Sequence, residues 1–143
     1  MHAEERSIGT QLSFALYGAA NRMARLHKPL LDPLGLTFPQ YLAVLELLDE
    51  SPVSVGVLGS RLGMDTGTIT PLVKRLEAGR IVTRTRDPSD ERRVIVDLTG
   101  HGRSLEEQVR GVTNQIKTLC KLTDQSMDDL VLTLEALAHS PAT

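Results

Sequence analysis

Apolar residues at Leu12, Leu16, Ala19, Met23, Leu26 and Leu30 step by four and three, the spacing that lines one face of an α-helix. Pro29, Pro33 and Gly35 predict where that helix closes. The stretch LTFPQYLAVLELLDE predicts a second helix. Thr37 is placed to cap it, Gln40 follows three residues later as in a capping box, and Pro39 falls in the first turn, where its missing N–H is harmless. Leu42, Leu45 and Leu48 are its expected buried stripe. Ser54 predicts the cap of a short third helix, VGVLGSRLG. Gly56 and Gly59 weaken it by about 1 kcal/mol each relative to Ala, so packing must hold it together. Gly63 suits a left-handed turn, and MDTGTITPLVKRLEAGR predicts a fourth helix capped near Asp65 or Thr66, with Pro71 implying an irregular start.

The period then changes. IVTRTR and RRVIVDL read as two strands joined by DPSD, with Val94, Val96 and Leu98 on one face and Asp87–Pro88 opening the turn. Beyond the hairpin, Thr99 is expected to cap a helix with the stripe Leu105, Val109, Val112, Ile116 and Leu119. Ser126 with Asp129 is expected to begin a last helix carrying Met127, Leu130, Leu134 and Leu137. The order is α-α-α-α-β-β-α-α. The fold class is mainly α with a small β-hairpin wing: a winged helix-turn-helix flanked by N- and C-terminal dimerisation helices. We read residues 1–143 as a single winged-helix domain, with about 36–100 as the DNA-binding unit and about 8–34 and 101–140 as dimerisation helices. The apolar seams of the end helices exceed what the winged unit can cover. Buried apolar area is worth about 25 cal/mol per Å², so a second copy of the chain is the expected cover. The alternative is that the end helices fold back on the winged unit of their own chain.

Composition narrows the function. With 41% hydrophobic and 24% charged residues the 143-residue chain reads as globular, not disordered. Apolar runs of four or five residues fall far short of a membrane span, and MHAEERSIGT lacks the apolar segment of a secretory signal, so a cytoplasmic protein is expected. The lone Cys120 allows no internal disulfide, and His2, His27, His101 and His139 have no paired ligand spacing, so neither metal nor cofactor is expected. The net charge of −2 argues mildly against nucleic acid, but its distribution does not. Residues 74–93 hold seven Lys/Arg against four Asp/Glu, while residues 115–143 are net acidic.

The candidate chemistry follows that charge. Thr66, Thr68 and Thr70, with Gly67 and Pro71 in the same stretch, put hydroxyls and first-turn amides where phosphates or base edges would sit. Lys74 and Arg75 lie a turn further on and can neutralise phosphate charge. Arg84, Arg86, Arg92 and Arg93 are expected around the wing tip. Arg92 is the candidate for the minor groove, with Asp90 as its orienter. The plainer readings are a solvated helix with ordinary capping threonines and a charged solvated turn. No nucleophile triad, metal set or phosphate loop is present, so no catalytic residue is assigned.

The segment VSVGVLGSRLGMDTGTITPLVKRLEAGRIVTRTRDPSDERRVIVDLT resembles the MarR family, and DPSDERR matches that family's wing signature. Upstream, LSFALYGAANRMARLHKPLLDPLGLTFPQYLAVLELL is similar to the organic-hydroperoxide-resistance branch. The likeness spans roughly Leu12 to Gly102 and weakens over the last helices. It implies a homodimer on a pseudo-palindromic double-stranded DNA site, and repression relieved by an inducer. Arg80 stands where the family usually ends the helix with glycine. Ser13, in LSFALY, stands where the branch carries its peroxide-reactive cysteine, and a hydroxyl cannot form a sulfenic acid. Of the tyrosines the branch places nearby, Tyr17 and Tyr41 remain while His27 and Phe38 replace others. These five residues are the candidate pocket for a small organic effector. Ser13 reads either as natural divergence or as an engineered replacement, and Cys120, flanked by Lys117 and Lys121, is expected to be an inert seam residue. A nucleophile–base pair of Ser13 and His27 would lack an orienting carboxylate. A winged-helix protein-interaction module is the competing class.

Overall fold

The computed structural model describes residues 7–139. Residues 1–6 and 140–143, the two ends of the expected domain, lie outside that span. The chain divides into two compact units between Phe38 and Pro39.

The first unit is one long helix and a turn. Helix α1 (Ile8–Leu31) starts at Ser7, whose hydroxyl accepts from the Thr10 amide, and runs through Pro29. A short 3-10 turn (Asp32–Leu34) follows, with Pro33 at its start. The expectation that Pro29 closes the helix is corrected. It does not break α1, and the chain turns only at the 3-10 segment beyond. Little of α1 is covered. Leu12, Phe14 and Tyr17 are exposed, and only His27 and Leu31 are buried.

The second unit holds the winged helix. Helix α2 (Phe38–Asp49) buries Tyr41, Ala43, Val44 and Leu47, while Leu42, Leu45 and Leu48 are half-buried. The expected stripe is therefore displaced by one position. LAVLELL is apolar on both sides, so spacing alone does not choose the inner face. A two-residue strand β1 (Val53–Ser54) follows and was not expected from the sequence. The Ser54 hydroxyl then caps α3 (Val55–Leu62) by accepting from the Val57 amide.

The turn after α3 holds Gly63 at φ 69°, with Met64 N–H donating to Gly59 O and Gly63 N–H to Ser60 O. At Gly59 a Cβ would lie 3.0 Å from the Met64 carbonyl and 3.1 Å from Ile69 Cγ2. The glycine that weakens α3 is thus the one that lets α4 (Thr66–Ala78) approach it. Helix α4 starts regularly on the Asp65 cap, whose carboxylate accepts from the Thr68 amide at 2.9 Å. Pro71 sits in its second turn without breaking it, so the expected irregular start is not found.

Strands β2 (Val82–Asp87) and β3 (Asp90–Leu98) form the antiparallel wing, and β1 adds to the far side of β3 in the order β1-β3-β2. Pairing is regular from Val82↔Leu98 to Arg86↔Val94, then shifts to Asp87↔Asp90. Glu91, Arg92 and Arg93 are thereby left in a bulge near the tip. Thr99 caps α5 (Gly100–Ser104), which stops at Leu105 before α6 (Glu106–Cys120) begins. The expected single helix is two, and the stripe is buried only at Val109, Val112 and Ile116, with Leu119 exposed. Helix α7 (Asp124–Ala138) is capped by Thr123 rather than begun at Ser126, and buries none of its residues. Among the described residues no helix is long and apolar enough to cross a membrane.

Candidate nucleic-acid interface

Helix α4 presents two faces. Ile69, Leu72, Val73 and Leu76 are buried. Thr66, Gly67, Thr68, Pro71, Lys74 and Arg75 are exposed, and the side chains of Lys74 and Arg75 make no ion pair among the described residues. Two cations free of acidic partners on an exposed helix face are available to phosphate. At the N-terminus the picture is less simple. Asp65 already takes the Thr68 amide, so a carboxylate stands where a phosphate on the first-turn amides was expected. Hydroxyl and methyl contacts from Thr66 and Thr68 remain open to base edges.

The wing tip is organised by two aspartates. Asp87 accepts from the Ser89 amide at 2.9 Å and the Ser89 hydroxyl at 2.7 Å, and it faces Arg93 at 3.6 Å. The Ser89 donors, above all the hydroxyl, hold the Asp87 carboxyl below the usual carboxylate range, and Arg93 adds to this. Asp90 accepts from the Arg92 amide at 3.1 Å and lies 3.5 Å from its guanidinium. Arg92 is left with its side chain 93% exposed, in the bulge beside the hairpin tip. Arg86 donates to the Glu91 carbonyl at 2.7 Å, across the tip.

Arg84 differs. It lies in mid-strand opposite Val96, not at the tip, and its Nε reaches Glu77 of α4 at 3.2 Å. Its expected place around the tip is corrected. The alternation that buries Val82 puts Arg84 on the same, helix-facing side of β2.

A cleft of about 310 Å³ brings these parts together. Thr66, Ile69, Thr70 and Val73 form one wall, Arg84, Arg92, Arg93 and Val94 the other, and Ser54, Val55 and Gly56 close its back. Thr66, Thr70 and Val73 continue to Glu77 at four- and three-residue steps, the stripe of α4 that faces the wing. Glu77 was missed by the sequence reading, although that spacing carried the signal.

The candidate effector residues behave differently. Ser13, exposed, donates to the Gly9 carbonyl at 3.0 Å and shares a shallow hollow with Thr10, Phe14 and Tyr17. His27 is buried, donates from Nδ1 to the Met23 carbonyl at 2.7 Å and packs on Phe38 with ring centroids 4.3 Å apart. The fourteen steps from Ser13 to His27 run along one unbroken helix, a separation of about 21 Å. The two do not meet within one protomer. In the second unit, Tyr41 is buried with its hydroxyl hydrogen-bonded to Thr113 of α6. Cys120 ends α6 half-buried.

A helix-turn-helix followed by an arginine-tipped hairpin defines the winged helix-turn-helix class of DNA-binding protein. The MarR family model matches residues 34–93. The chain is 37% identical over 137 residues to the organic hydroperoxide resistance transcriptional regulator of Bacillus subtilis, covering 96% of this chain and 93% of the relative. It is 42% identical over 135 residues to the transcriptional regulator TtmR of Methylorubrum extorquens, covering 94% and 68%. A structure of reduced AbfR bound to DNA, a protein of Staphylococcus epidermidis, superposes with a TM-score of 0.78 at 32% identity over 96% of this chain and 99% of that one. The chain belongs to the MarR family of transcriptional regulators.

Proposed function

We propose that the chain is a homodimeric repressor that occupies a pseudo-palindromic site on duplex DNA and leaves it when a small organic effector binds. Residues 66–75 of α4 enter the major groove, and Arg92 with its bulge enters the adjacent minor groove. The observation that carries this reading is the cleft that sets the threonine face of α4 opposite Arg92 and Arg93. A sugar-phosphate backbone separates a major groove from its neighbouring minor groove, and a protein reading both must leave room for it. Gly67, Pro71, Lys74, Arg75, Arg86 and Asp90 complete the interface, as contacts or as supports of contacts. Residues about 36–100 form the DNA-reading part, and about 8–34 and 101–140 the dimerisation helices.

The dimer is supported by apolar surface that water would otherwise meet. Ile8, Leu12, Phe14 and Tyr17 are exposed on α1, and Leu130, Val131, Leu132, Leu134 and Leu137 on α7. It also bears on the effector. Ser13 and Tyr17 reach His27 and Phe38 only if two protomers lay their α1 helices together, so a pocket holding all four is intersubunit. Release of DNA then follows if the effector favours a dimer whose recognition helices are wrongly spaced. Ser13 rules out peroxide chemistry through a thiol at that position, which favours a ligand over an oxidant as the inducer.

The test is binding to the DNA upstream of its own gene, titrated against salt. Specific binding that tightens as salt falls is expected. Arg92→Ala is expected to lower affinity by about tenfold and the magnitude of the salt slope by about one. Equal binding by the variant removes the wing from the interface, and no binding by the parent at any salt overturns the reading.

A further inference from the structure

Glu77 and Arg84 stand out from the other charges of the DNA-facing unit. An acid on a helix that meets phosphate should weaken binding, and an arginine should strengthen it. Here the two neutralise each other at 3.2 Å, with the Arg84 side chain only 25% exposed. Glu77 continues the α4 stripe formed by Thr66, Thr70 and Val73, and its bond to Arg84 links that stripe to β2. Lys74 and Arg75, on the outer face of the same helix, have no acidic partner among the described residues.

We infer that Glu77 and Arg84 are positioning residues that set the width of the cleft between recognition helix and wing, and that Arg84 is not itself a phosphate contact. Three observations converge on this. The strand alternation points Arg84 at the helix, on the row that begins with buried Val82. Its Nε is engaged by a carboxylate on that helix. Arg84 lines the same cleft as Thr66, Thr70, Arg92 and Arg93, so the pair adjoins the space between helix and wing. A strut between α4 and β2 fixes how far the wing arginines stand from the threonine face, and so the groove-to-groove distance on which both can engage. The inference rests on the proposed DNA function and deepens it.

The sign of one substitution tests it. Glu77→Gln removes a negative charge from the DNA-facing unit and frees Arg84. If Arg84 contacts phosphate, affinity for the upstream DNA rises and the salt slope steepens. If the pair is a strut, affinity falls about fivefold despite the lost negative charge, and the slope stays at the parent value. Arg84→Gln gives a matching fall with unchanged slope, and the charge-exchanged variant Glu77→Arg with Arg84→Glu restores binding. Unfolding temperature is followed in parallel, so that a fall in affinity is read only from variants that fold like the parent. A steeper slope in Glu77→Gln, a slope lower by about one in Arg84→Gln, or failure of the exchanged pair to recover would each overturn the inference. Absence of binding by the parent protein would instead sink the DNA reading itself.

Discussion

Arg80 holds φ at 61°, the left-handed region that a Cβ disfavours. It closes α4: Arg80 N–H donates to the Glu77 carbonyl at 2.9 Å and Ile81 N–H to Leu76 at 3.0 Å, with Leu76 and Ile81 both buried. Gly79, one residue earlier, has φ −81° and needs no special freedom. The glycine-for-arginine shift visible in the sequence therefore leaves the cap in place and makes arginine carry the strain. Arg80→Gly is expected to raise stability by about 0.5–1 kcal/mol in urea unfolding, with DNA affinity unchanged, since relief of left-handed strain exceeds the added freedom of the unfolded chain. Asp87 gives the pH response at this scale. Its carboxyl titrates below its unfolded value because Ser89 donates to the ionised form, so its contribution to the wing turn is complete above the ordinary carboxylate range and is lost as pH falls through the lower, folded value. Amide exchange at Ser89, followed from about pH 5 to about pH 2, should show protection lost only at the acid end. Loss already at the start of that range would contradict the bonded turn.

At the scale of elements, α5 joins the wing to α6. The Thr99 hydroxyl donates to the Arg80 carbonyl at 2.6 Å and accepts from the Gly102 amide at 3.0 Å, so one side chain ties the end of α4 to the start of α5. Arg103 reaches Asp97 of β3 at 3.1 Å and Ser51, ahead of β1, at 3.4 Å. A Cβ on Gly102 would lie 2.2 Å from the Ile81 carbonyl, which is backbone and cannot swing aside. Gly102→Ala is expected to destabilise by about 1–3 kcal/mol in thermal or urea unfolding. A neutral result would show that the α4–β2 turn yields easily. The wing illustrates the same scale differently. Its strands, its turn and Val94, Val96 and Leu98 were legible as a period of two. The bulge was not, because a register shift depends on which residues pair across the strands and leaves no period in either one.

For the whole molecule, the exposed leucines of α1 and α7 matter most. Placing a charge in the centre of such a surface, as in Leu12→Glu or Leu134→Glu, is expected to weaken self-association by at least about tenfold in sedimentation equilibrium. DNA affinity should fall with it, because two linked recognition helices bind far more tightly than one. A variant that stays dimeric would place the interface elsewhere.

Local chemistry was sufficient for much of this protein. Ser54, Asp65 and Thr99 were readable as caps, Gly63 as a left-handed turn, and DPSDERR as the turn of an arginine-rich hairpin, because each depends on residues within a few positions of one another. The helix-turn-helix and the wing followed from their order. Contacts between distant positions were not readable. The added strand β1 needs Val53 to meet Val96, the inner face of α2 depends on what packs against it, and Arg84 differs from Arg86 only because Glu77 lies across the gap from it. The separation of Ser13 from His27 follows from α1 being unbroken between them. Sequence by itself determined the order of helix-turn-helix and hairpin and offered candidate side chains for DNA. Tertiary structure decided which of those charges remain free, since an arginine is available to phosphate only where no carboxylate from another element has reached it first.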